Sequence, residues 1–240
     1  MPDLSSNLGR LERYLAKAHR PLNCLMFILP LLAAYEAGSV FYRDPLLAPR
    51  HLQAVLESLG AGAYLLPGAV IVMVLLIWHV LSRQKWHVDG DALLGMAVES
   101  VAWMAPMLVL AAVLDKLLSL QAVGSAPAAR PLAASILSGI GAGIYEEFLF
   151  RLAGTGLILL LMVDLLRSPR RATEVFAIAF TSVLFSLYHF IGPEQFRWHQ
   201  FIFRAAAGAY LAGLYVTRGF GIAVGTHACY NTIVALSGYF

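Results

Sequence analysis

The stretch LAASILSGIGAGIYEEFLFRLAGTGLILLLMVDLL, Leu132 to Leu166, is an almost unbroken apolar run with Glu146, Glu147 and Arg151 set in its middle. At about 1.5 Å per residue a helix over it is about 50 Å long, whereas a bilayer's hydrocarbon core is about 30 Å thick. It therefore reads as one tilted, protruding membrane helix, or as a helix broken near Gly154 and Gly156. Ionisable groups in such a run cost a few kcal/mol each at least, which marks them as functional candidates.

The rest of the chain is of the same kind. Of its 240 residues, 60% are hydrophobic and 13% charged, against roughly 45–50% and about 25% in a soluble domain. A soluble globular enzyme, a disordered tail and a disulfide scaffold are excluded. The 17 basic residues give a net charge of +3 but form no long run, so nucleic acid is not an expected partner. Cys24 and Cys229 both lie in apolar segments, which implies no disulfide framework.

Further spans fall near Leu22–Phe41, Gly62–Leu81, Ala92–Leu114, Val175–Phe190, Phe201–Val216 and Phe220–Tyr239. Pro49–Ser58 is amphipathic and suits the membrane interface. The first apolar run is too long for a signal peptide and lacks a convincing cleavage site, so it reads as a retained helix. The expectation is an all-α, polytopic transmembrane bundle of about seven to eight helices, forming one integral-membrane domain over 1–240 with its motifs in 131–240. With seven crossings and the N-terminus inside, ten basic residues fall on the inner side, at Arg10–Arg20, Arg83–Lys85, Arg167–Arg171 and Arg218. Five fall outside: Arg43, Arg50, Lys116, Arg130 and Arg197. That bias orients the N-terminus to the cytoplasm. Short loops and arginine in place of lysine suggest a bacterial inner (cell) membrane.

The ionisable residues inside spans are Glu36, Glu99, Glu146, Glu147, Arg151, His189, Arg204 and His227, joined by the polar Asn231. Glu147 and Arg151 stand one helical turn apart and can pair. Glu146, rotated about 100° away, need not share that pair and is left as a potential general base. An ion pair that only locks helices needs no second glutamate beside it. His227 and Asn231 are also one turn apart and point the same way. A lone His189 at a span's end is commonly an interfacial residue, but two histidines, two glutamates and an asparagine over three spans are not explained by packing.

The series Glu146-Glu147-x-x-x-Arg151, Phe185-x-x-x-His189 and His227-x-x-x-Asn231 resembles the CAAX-protease and bacteriocin-processing (CPBP, abortive-infection) family of intramembrane glutamic endopeptidases. Phe201–Arg218, with Gly208 and Gly213, resembles the family's third motif loosely, and the first half carries no motif. The resemblance implies that Glu146 activates a water for attack on a peptide carbonyl and that His189 helps hold it. It implies that His227 and Asn231 supply donors to the oxyanion. Glu147 with Arg151 would fix the helix presenting Glu146, and Phe185 would pack behind His189. In the seven-span topology His189 lies near the outer end and His227 nearer the inner side, an offset that tilted helices around a conical intramembrane cavity would close. The expected partners are the lipid bilayer and a membrane-anchored peptide or protein substrate, with no cofactor.

Other readings compete. Glu146, His189 and His227 are zinc-type ligands, so a zinc-dependent membrane protease is an alternative, against which stands the absence of H-E-x-x-H. Cys229 lies two residues after His227 on a helix and so points away from it, which disfavours a cysteine protease. A transporter, or a non-catalytic immunity protein, would also carry intramembrane charges, but no inverted repeat is visible.

Overall fold

A computed structural model describes residues 4–42, 47–58, 66–118, 131–191 and 194–237, and no strand occurs among them. In chain order the helices are α1 (Leu4–Ala18), α2 (Pro21–Tyr42), α3 (Leu47–Ser58), α4 (Leu66–Leu81), α5 (Gly90–Leu118) and α6 (Leu132–Glu147). After α6 the chain stays helical through a π-turn over Phe148–Thr155, a short α7 (Gly156–Leu159) and a second π-turn over Leu160–Leu165. Then come α8 (Arg170–Tyr188), a 3₁₀ turn over His189–Ile191, α9 (Trp198–Arg218) and α10 (Phe220–Ser237). The chain is an all-α membrane bundle.

All seven expected spans are helical where described; the starts of the second and the last residues of the seventh lie outside the described residues. Four helical segments are long and apolar enough to cross a bilayer: Pro21–Tyr42, Gly90–Leu114, Leu132–Leu165 and Arg170–Ile191, with the shorter apolar Pro67–Leu81 beside them. Leu132–Leu165 is one continuous helical segment, so the alternative of a break at Gly154 or Gly156 is corrected. The glycines are absorbed by a change of hydrogen-bond register, since an interrupted helix in lipid would leave backbone groups without partners. The amphipathic Pro49–Ser58 is present as α3. The basic flank before the first span is itself a helix, α1, whose Tyr14 ring lies on Gly95 of α5.

The outward faces are apolar. Leu94, Val98, Val101 and Val109 of α5, and Val175, Phe176 and Phe180 of α8, are exposed, as lipid-facing residues must be. The polar groups turn inward. The helix α10 packs against α2, α5, α6 and α9, and its stretch Phe220–Ala228 is wholly buried. Small residues permit the approach of α6. A Cβ at Gly143 would lie 2.8 Å from the Ala228 backbone nitrogen, and one at Gly139 would lie 2.8 Å from Asn231 Cβ. Glycine at such crossings lets backbones meet where no hydrophobic force drives helices together.

One end of the bundle is tied by charge. Asp89, at the start of α5, takes Lys17 Nζ at 2.7 Å and Arg20 Nη1 at 3.0 Å, while its N–H donates to Asn23 Oδ1 at 3.2 Å. The α9–α10 turn at Gly219 lies against Ala18 and His19. Gly219 has φ +97°, a backbone conformation that glycine adopts without strain. Since α8 runs antiparallel to α9, with Ser186 Oγ donating to Phe201 O and Ser182 backing on Gly208, the Arg167–Arg171 turn falls at this same end.

Two outcomes test this packing. Gly143→Leu overfills the α6–α10 crossing and should cost about 1–3 kcal/mol, seen as a lower thermal midpoint in detergent. Gly156→Ala, with nothing within 4 Å of the new methyl, should leave that midpoint unchanged. The hydrogen bond from Lys17, with the charges of Lys17 and Arg20, holds the Asp89 carboxyl below the usual carboxylate range. A depressed folded value contributes stability above the unfolded one, and loses it as pH falls. The protection of α1 amides against exchange should therefore fall below about pH 4, and Asp89→Asn should show the lower protection at neutral pH.

Candidate active site

The site is built where α6 passes into its π-turn. Within Phe148–Thr155 the hydrogen bonds reach back five residues: the Gly156 N–H donates to Arg151 O and Thr155 Oγ1 donates to Phe150 O at 3.3 Å. Such turns are uncommon and recur at functional sites. Arg151 sits inside this one and is fully buried, as is Glu147.

Arg151 Nε lies 3.1 Å from Glu147 Oε2, and Arg151 Nη2 donates to the Gly208 carbonyl of α9 at 3.1 Å. Its guanidinium also lies over the Phe185 ring, 4.5 Å from the centroid. The other oxygen of Glu147 faces α10, with His227 Nδ1 donating to Oε1 at 2.8 Å. Glu147 therefore binds a cation on its own helix and a histidine on another. A carboxylate accepts only, so the proton of this bond belongs to Nδ1 and the Nε2 edge of His227 is turned to the site.

That edge meets Glu146, whose Oε2 is 3.9 Å from His227 Nε2 and whose Oε1 is 3.6 Å from His189 Nε2. His189 Nδ1 donates to the Phe185 carbonyl at 2.9 Å, which leaves Nε2 of a neutral ring as an acceptor toward Glu146. These separations exceed direct hydrogen bonds but allow one small molecule to touch both groups. Glu146 and His189 keep 13% and 20% side-chain exposure, whereas Glu147 keeps none. The accessible carboxylate and the sealed one are thus adjacent in sequence and distinct in environment. Phe185 holds the group together, edge-on to His189 at 4.9 Å and to His227 at 6.2 Å between centroids.

The structure brings together Glu146, Glu147, Arg151, Phe185, His189 and His227. The offset between the two histidines along their helices is closed by Glu146, which faces one with each oxygen. Asn231 lies one turn beyond His227, half-buried, and its Nδ2 donates to Gly139 O at 3.1 Å; among the described contacts it is bonded there and not to Glu146. The remaining intramembrane charges have local partners. Glu36 accepts from Tyr145 Oη, Glu99 meets Arg218 at 3.3 Å, and Arg204 meets Glu194 at 2.7 Å. Two residues beside the site were not singled out by their sequence: Tyr188, next to His189, and His51 of α3, which are 2.6 Å apart. Tyr188 was readable as a neighbour of the motif, but nothing local signals a partner 137 residues away. Among the described residues, no group of three or more His, Cys, Asp or Glu side chains is placed to hold a metal ion.

Residues 128–233 match the family model described as Type II CAAX prenyl endopeptidase Rce1-like. This stretch is similar to the Rce1-like family. It contains every residue of the glutamate, histidine and His-x-x-x-Asn motifs, so the resemblance read from them is borne out there. No curated protein and no solved structure matches the chain. The matched segment takes in α6 to α9 and most of α10; of the helices before it, α2 packs against both α6 and α10, α3 against α6 and α5 against α10.

Arg151→Ala would leave Glu147 buried without its cation, a loss of about 3–5 kcal/mol, and should reduce the amount of folded protein in membranes. The double variant Glu147→Gln, Arg151→Met removes both charges together and should accumulate better than Arg151→Ala. Normal accumulation of the single variant would show that the pair does not hold the fold.

Proposed function

We propose that this chain is an intramembrane endopeptidase that hydrolyses a peptide bond of a membrane-anchored protein or peptide, using water activated by Glu146. The observation that carries the reading is the pair of acceptors, Glu146 Oε1 and His189 Nε2, held 3.6 Å apart. A water between them gives one O–H to each and keeps a lone pair for the substrate carbonyl. Glu146 takes the proton as the oxygen attacks, and delivers it to the leaving nitrogen as the C–N bond breaks. His189 holds the water without needing to change charge, because its Nδ1 is committed to Phe185.

The oxyanion that forms is met from α10. His227 donates through Nε2 when that nitrogen is protonated, an imidazolium that Glu147 stabilises through Nδ1. With Glu146 and Glu147 both ionised, Arg151 and His227 in the cationic form make the four-residue group neutral, which lowers the cost of charge at this depth. Asn231 has a second amide N–H beyond the one given to Gly139 and supplies the other donor. No cofactor is needed for these steps. The segment's description places its relatives among prenyl endopeptidases; for this chain the substrate is a peptide with a lipid or transmembrane anchor, cut in a bacterial cell membrane. The N-terminus faces the cytoplasm, on the basic side of the bundle.

The test uses the full chain in vesicles with an internally quenched peptide bearing either a C-terminal prenylated cysteine motif or an N-terminal acyl anchor. Glu146→Gln keeps shape and loses basicity, and should lower turnover by at least about 10²-fold. Asn231→Ala should lower kcat by about 10²–10³-fold with KM little changed, as expected for an oxyanion donor. A strong chelator should leave the wild type active. Inhibition by chelator that zinc reverses would overturn the metal-free mechanism, and full activity in Glu146→Gln would overturn the assignment of the base.

A further inference from the structure

The helix α3 lies outside the Rce1-like segment and yet reaches the end of α8 where the site stands. Leu52 anchors it in the central core, and the neighbouring His51 is exposed with its Nδ1 2.6 Å from Tyr188 Oη. The Tyr188 ring is already placed by packing, edge-on to Phe150 at 5.3 Å and beside His189 at 6.5 Å. The bond to His51 therefore adds no position to the ring and sets only the direction of the hydroxyl. Being exposed, it also contributes little to stability.

When Tyr188 donates to Nδ1, the His51 proton sits on Nε2 and points away from the pair. With its proton given to His51, Tyr188 Oη keeps a lone pair turned to the surface for a further donor. That lone pair is the complement of a main-chain N–H. A peptide opened for cleavage at membrane depth has lost its internal hydrogen bonds and needs such partners, because lipid supplies none.

We propose that His51 is a positioning residue of the Glu146 site, acting through Tyr188, and that the pair receives the main chain of the substrate beside the scissile bond. This rests on the peptide-hydrolase reading above. It adds to that reading a residue from the half of the chain that carries no family motif.

The experiment measures KM and kcat for the quenched, lipid-anchored peptide in vesicles. His51→Ala should raise KM by about three- to ten-fold, the worth of one hydrogen bond, with kcat within about two-fold. Tyr188→Phe should do the same, and the double variant should be no worse than either alone, since one bond is lost in each case. His51→Asn, which keeps a polar atom near the place of Nδ1, should restore most of the affinity. The same substitutions made in Glu146→Gln should shift the dissociation constant of the uncut peptide equally, which reads binding without turnover. Additive effects, an unchanged KM, or a fall in kcat alone would overturn the assignment. A binding shift in a chain that cuts nothing would refute the hydrolase reading and sustain the role of His51. A peptide that binds none of these proteins would refute both.

Discussion

A carboxylate sealed from water must find its compensating charge within a few ångströms, because in hydrocarbon nothing else provides it. Glu147 is such a group, and much of the architecture follows from it. Arg151 answers it from the same helix, His227 answers it from α10, and the guanidinium also reaches Gly208 O and lies over Phe185. These contacts draw α6, α8, α9 and α10 onto one point. The glycines at 139 and 143 let α6 come close enough for His227 to reach, and the π-turn keeps Arg151 turned inward. Glu146 inherits a fixed position from its neighbour while keeping access to solvent.

The other intramembrane charges obey the same constraint by simpler means. Glu99 with Arg218, Arg204 with Glu194, and Glu36 with the Tyr145 hydroxyl each meet one principal partner. None of these groups converges from three helices as the Glu147 group does. That difference separates a charge that is merely accommodated from an array in which one carboxylate is held bare against two imidazoles.

Much of this was legible in the sequence because lipid simplifies the code. Apolar runs of the right length gave the seven helices, and the i, i+4 spacing of Glu147 and Arg151 gave their ion pair, since both signals are local and periodic. What was not legible depends on register or on distance. The π-turn leaves no mark in composition, as Gly154 and Gly156 fit a broken helix equally well. The partnership of His227 with Glu147 rather than with Glu146 alone follows from the rotation of α6 against α10, which no spacing reveals. The amide of Asn231 turned toward Gly139 for the same reason. Tyr188 and His51 lie in segments of ordinary appearance and meet only because α3 folds back on the bundle. The helix α1 carried its signal in Leu4, Leu8, Leu11 and Leu15, a helical period masked by the basic residues between them.

The central place of α10 has a consequence for biogenesis. This helix emerges from the ribosome after all the other described ones, yet it must lodge among α2, α5, α6 and α9. Until it does, Glu147 has no imidazole and the close crossing at Gly143 is open. A nascent chain inserted as far as α9 therefore holds Glu146 and His189 without His227 and Asn231 of α10. On the proposed reading the site is complete only once α10 has inserted, so the folding order itself keeps a partly inserted chain from acting on its neighbours.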